Sequence, residues 1–126
     1  MKSLTILVIL FIATASSPAQ DDETKCCCST YDTSVCLSKV YKKVDTDLNE
    51  TYKEALKATV AKYTAKDVHN LKDAEQKWMA YRDAECKAEY GLWGGGTGGP
   101  SALTSCLIAI TRKRTDELRN FNVGMR

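Results

Sequence analysis

Six cysteines, one histidine and a run of glycines are the residues of this chain whose spacing most restricts their chemistry. The cysteines are Cys26, Cys27, Cys28, Cys36, Cys86 and Cys106. A structural zinc site wants two close pairs separated by a loop, whereas Cys86 and Cys106 each stand alone. Disulfides are the better reading, and they imply an oxidising compartment. His69 is the sole histidine, so any Ser-His-Asp or Cys-His arrangement depends on it. It falls in a polar stretch with no Ser or Cys beside it, which suits a solvated surface position. The carboxylates are spread along charged helix faces, with no pair marked by an apolar pocket as a glycosidase would need. No catalytic residue, cofactor site or metal site is therefore expected, and the chain reads as non-enzymatic.

The glycine run Gly94-Gly95-Gly96-Thr97-Gly98-Gly99 precedes a helical pattern, where backbone amides can cradle an anion. It follows a helix rather than a strand, however, and lacks the Lys-Ser/Thr that completes a phosphate loop. The reading is a flexible tether between two helix ends. Trp93 at its start is the candidate partner contact, because an aromatic on an exposed loop can anchor a complex.

These residues must be positioned by helices. Leu37, Tyr41, Val44, Leu48, Tyr52, Ala55 and Thr59 recur at three- and four-residue steps, which predicts a helix from Asp32 or Ser34 to Tyr63, either continuous or as two nearly collinear pieces. Thr64 or Asp67 is placed to cap a second helix over about 67–89, with Leu71, Ala74 or Glu75, Trp78, Arg82 and Cys86 on one face. Gly91 is placed to end it in a left-handed conformation. Gly91 to Pro100 contains 6 of the 7 glycines and must be a loop. Ser101 is expected to cap a third helix carrying Leu103, Cys106 or Leu107, Ile110, Arg114, Leu118 and Phe121. No stretch alternates like a strand. The expected fold is all-α, a disulfide-stapled bundle of about three helices with the Gly-rich loop between helices two and three.

Helix ends joined by that loop bring Cys86 and Cys106 together, which predicts a Cys86–Cys106 bridge. Cys36, near the start of the first helix, lies within reach of the cysteine triplet. Cys28–Cys36 is the expected second bridge, with Cys26 or Cys27 as alternative partners. Trp78 and Tyr81 read as core. Arg82 shares the Trp78 face and needs partners, since an unpaired buried charge is costly. Asp45 or Glu75 can supply a carboxylate and Asn49 an amide. Arg112-Lys113-Arg114 with Arg119 makes the third helix locally basic, diluted by Asp116 and Glu117. The sequon Asn49-Glu50-Thr51 falls inside a predicted helix and reads as coincidental.

Residues 1–19 have the form of a secretory signal peptide, with Lys2 followed by the apolar run from Leu4 to Ala13 and a small-x-small site ending at Ala19. That run is too short for a membrane span. Residues 20–30 read as an irregular Cys-rich segment, 31–121 as the helical domain and 122–126 as a frayed end. With 18 Lys+Arg against 16 Asp+Glu, the chain has no basic excess for nucleic acid. The class is a small secreted or periplasmic single domain.

Three blocks in order resemble the LprI-like family of small exported proteins, named after a bacterial lysozyme inhibitor. They are Asp45-x-x-Leu48-Asn49-x-x-Tyr52, then Ala74-x-x-x-Trp78-x-x-Tyr81-Arg82-Asp83-x-x-Cys86, then Cys106 with Thr111-x-x-Arg114-x-x-x-Leu118. The similarity covers about residues 28 to 118, and the Trp-to-Cys block is its specific part. Two features depart from the family pattern. The cysteine triplet stands where one cysteine is expected, and Glu75 stands where the family usually has Gln. The resemblance implies a helical domain that binds lysozyme, with another envelope or secreted partner as the alternative and a hydrolase as the weaker third reading. It also implies that Asp45, Asn49, Arg82, Asp83 and Arg114 form a structural polar network, with Trp78 and Leu118 in the core.

Overall fold

The computed structural model describes residues 26 and 29–124, with side chains up to Phe121. The signal-peptide reading and most of the 20–30 segment lie outside the described residues. Three helices follow in order, α1 (Thr30–Lys62), α2 (Ala65–Gly91) and α3 (Gly99–Gly124), and the described residues contain no strand.

Each helix start has a local cause. The Ser29 hydroxyl accepts the Asp32 amide at 3.0 Å, and Asp32 places a carboxylate in the positive first turn of α1. With neither Gly nor Pro inside it, α1 runs unbroken for 33 residues. Thr64 and Asp67 form a reciprocal capping box at the start of α2. The Thr64 side chain accepts the Asp67 amide, while the Asp67 carboxylate accepts the Thr64 amide at 3.0 Å. Both residues thus do what the sequence offered as alternatives. The Thr64 hydroxyl also donates to the Asp67 carboxylate at 2.6 Å, and this bond, with that from the Thr64 amide, holds the carboxyl below its ordinary pKa.

Three helix ends differ from expectation. Gly91 stays helical, and the left-handed residues come later, at Gly94 and Gly95. Ser101 does not cap α3, because the helix begins two residues earlier and the Ala102 amide bonds to the Gly98 carbonyl at 3.0 Å. Pro100 sits in this first turn, where its missing N–H is no loss. At its far end α3 continues to Gly124, past the expected boundary at 121.

α3 is the central element, packed most extensively on α1 and then on α2. One apolar cluster joins Leu48, Ala55, Leu71 and Leu118, with Tyr52, Leu56 and Trp78 packed against it. A second joins Leu37, Val44 and Ile108, with Cys26, Val40 and Tyr41 alongside. The buried surface is also rich in threonine: Thr51 and Thr59 on α1, Thr111 and Thr115 on α3. Thr51, Thr59 and Thr115 each donate to the carbonyl four residues back, at 2.8–2.9 Å, so their hydroxyls enter the core satisfied. Tyr81, expected in the core, is instead exposed. The buried stripe of α2 runs through Leu71, Glu75, Arg82 and Cys86, and Tyr81 is turned one residue off it.

The bridges are Cys86–Cys106 and Cys26–Cys36, with Cα–Cα separations of 5.6 and 5.5 Å. The second takes Cys26, one of the two alternative partners, in place of the favoured Cys28. Cys36 lies seven residues into the chain from the Ser29 cap, about 10 Å along the helix axis. A residue one position before the cap reaches back only about 3.8 Å. Cys26, three positions before it, has the slack to lie along the first turns. The Thr33 hydroxyl donates to the Cys26 carbonyl at 3.3 Å and helps hold it there.

Candidate functional site

Two features carry the residues singled out by sequence, a polar network between the helices and the loop joining α2 to α3. In the network, Arg82 is 8% exposed. Its Nε and Nη2 each donate to Asp83 Oδ1 at 2.9 Å, its Nη1 lies 3.7 Å from Asp45 Oδ1, and Nη1 also reaches the Thr111 hydroxyl at 3.5 Å. One guanidinium thus touches all three helices. Glu75, offered as a partner of Arg82, pairs with Arg114 instead: Nε and Nη2 of Arg114 donate to Glu75 Oε2 at 3.0 and 2.9 Å. Nη1 of Arg114 also meets Glu117 at 3.3 Å. Asn49 donates to the Asp45 carbonyl at 2.8 Å and to its carboxylate at 3.2 Å, so it acts on Arg82 by steadying Asp45.

Trp78 links the two arginines. The guanidinium carbons of Arg82 and Arg114 stand 5.3 and 5.8 Å from its ring centroid, within cation–π range. Nearby, burial pushes the Tyr41 phenol above its ordinary pKa; the Arg82 cation opposes this, and Asp45 and Asp83 add to it. Burial likewise raises Tyr52, with Glu75 contributing. Every charged group of the network faces an opposite charge, so the cluster ties the helices together. His69 is exposed on α2, away from it. Among the described residues, no group of three His, Cys, Asp or Glu side chains is placed to hold a metal ion, and no helix is long and apolar enough to cross a membrane.

The basic patch expected on α3 is largely neutralised. Arg114 turns inward to Glu75, and Arg119 pairs with Asp116 at 3.0 Å.

The Gly-rich loop is a chain of turns rather than the slack tether read from sequence. Amides of Leu92, Trp93, Gly94, Gly96 and Gly99 each bond to the carbonyl three residues back, at 3.0–3.3 Å. Two glycines permit close ring packing. A Cβ on Gly98 would come within 3.0 Å of Trp93 Cζ3, and one on Gly99 within 2.8 Å of Tyr90 Cε2. Trp93 is therefore propped on the loop while remaining 52% exposed, beside Leu92 at 88%. The Cys86–Cys106 bridge closes the base of this tip.

Opposite signs are expected for two substitutions here. Gly95→Ala forces a side chain into a backbone with φ of 78° and lowers unfolding free energy by about 1 kcal/mol. Gly91→Ala is helical with open space around it, and raises it by about 0.5 kcal/mol. Urea titration measures both, and equal effects at the two sites contradict the loop geometry.

Comparison with known proteins adds a family. Over residues 22–118 the chain matches the family model described as lysozyme inhibitor LprI. It is 33% identical, over 124 residues, to an uncharacterized protein of Rhizobium meliloti (strain 1021), covering 90% of this chain and 89% of that protein. No solved structure matches significantly. The model's match spans most of the three helices, the Arg82–Arg114 network and both bridged cysteine pairs, and the chain belongs to the LprI lysozyme-inhibitor family.

Proposed function

We propose that this is an exported, non-enzymatic binding protein that inhibits lysozyme, with Trp93 and Leu92 as its contact tip. The family match over residues 22–118 carries the reading. Export is supported by the two disulfides, which persist in oxidising compartments. The choice of tip is supported by its form. Exposed aromatic and aliphatic side chains on a propped, bridge-closed loop present apolar area without a large ordering cost on binding. Trp93→Ala is expected to weaken inhibition of cell-wall lysis about tenfold or more while leaving the far-ultraviolet dichroism unchanged. Unaltered inhibition by a folded Trp93→Ala protein contradicts the tip as the contact.

A further inference from the structure

The end of the bundle opposite the glycine loop contains an open groove of about 590 Å³, formed where α1 ends, α2 begins and α3 nears its end. That volume falls within the roughly 300–1,000 Å³ usual for ligand sites. Its lining is mainly apolar and includes Leu71, Ala74 and Leu118, with the half-exposed rings of Tyr63 and Phe121.

The charges lining it are Asp67, Arg114 and Glu117. Arg114 is already held by Glu75 and Glu117, so its positive charge is matched within the protein. Among the lining residues two carboxylates accompany one guanidinium, which already pairs with Glu75. An anionic ligand such as a fatty acid finds no unmatched cation among the lining residues. A cation carried beside an apolar group gains on both counts. The Asp67 carboxylate is already fixed by its capping bonds to Thr64 and loses little freedom on pairing.

We infer that this groove is a docking site for a peptide segment of a basic protein, seating an apolar side chain on Leu71, Ala74 and Leu118 and a neighbouring Lys or Arg against Glu117 and Asp67. The site is separate from the Trp93 tip and does not depend on it. Partner segments in this mode contribute one or two anchors, and the surrounding contacts exclude water.

A short peptide alternating Leu and Lys, titrated calorimetrically into the oxidised protein, provides the test, with the Leu/Glu peptide as control. The Leu/Lys peptide is expected to bind, more weakly as salt is raised, and the Leu/Glu peptide not to bind. Phe121→Ala, on an exposed ring, and Glu117→Gln are each expected to weaken binding roughly tenfold with dichroism unchanged. Phe121→Ala is expected to leave lysozyme inhibition intact. Equal binding of both peptides, no binding of either, or binding indifferent to both variants overturns the proposal. So does preferential binding of dodecanoate, or a self-association that Phe121→Ala abolishes, since these make a lipid or a second copy the occupant.

Discussion

Glu75→Ala is expected to lower the free energy of unfolding by about 3 kcal/mol, more than a typical single substitution. Glu75 is 6% exposed and accepts two donors from Arg114, whose own side chain is only 17% exposed. Removing the carboxylate leaves a guanidinium that is mostly out of water with Glu117 as its remaining carboxylate. The cost is therefore that of stranding a charge rather than of losing one hydrogen bond. Glu75→Gln keeps an oxygen acceptor in place and is expected to cost about 1 kcal/mol. The pair Glu75→Leu with Arg114→Met removes both charges and is expected to cost less than Glu75→Ala alone. Chemical denaturation of the three variants measures these differences. If Glu75→Ala proves as stable as the parent, the ion pair has no structural role.

Removing the Cys86–Cys106 bridge by the double change to Ala is expected to cost about 3 kcal/mol on chain entropy, because the bridge closes a sequence separation of 20 residues. Cys86 is fully buried and Cys106 nearly so, which makes the paired replacement by Ala the least disruptive choice. The consequence extends to the tip. Without the bridge, the loop carrying Leu92 and Trp93 is held at its base by turn hydrogen bonds and helix packing alone. Inhibition should fall along with stability. The Cys26–Cys36 bridge has a sequence separation of 10, and its loss is expected to cost about 0.6 kcal/mol less on loop length alone. Urea titration of the two double variants ranks them. The reverse order contradicts the assignment of the longer bridge as the main staple.

The helices were legible in the sequence because periodicity and caps agree. Leu37, Val44, Leu48, Ala55 and Thr59 mark the buried face of α1, and Thr64 with Asp67 marks the start of α2. The pairing of Cys86 with Cys106 was legible because a short loop brings those helix ends together. Arg82 was readable as a buried cation in need of partners. Which carboxylates it takes was not, since Asp45, Glu75 and Asp83 all lie within the reach of a long side chain. Only the relative rotation of α2 and α3 gives Glu75 to Arg114, while Asp83, the next residue on the same helix, pairs with Arg82. The buried Thr115 escaped notice because its hydroxyl bonds to the Thr111 carbonyl on its own helix and the side chain then packs as a small apolar residue. Ile108, buried with Leu37 and Val44, falls outside the face chosen for the third helix because the apolar residues there cover nearly all of its circumference. The order in the glycine loop was hidden for a related reason. A glycine run reads as slack, and the rings of Tyr90 and Trp93 that occupy the space above Gly99 and Gly98 show only in three dimensions.

The decisive measurement is a lytic assay. The oxidised protein beginning at Gln20 is titrated against c-type and g-type lysozymes acting on bacterial cell walls. Dose-dependent inhibition that disappears when the disulfides are reduced is the expected result. Undiminished lysis by both enzymes at micromolar concentrations of oxidised, folded protein contradicts lysozyme inhibition as its function.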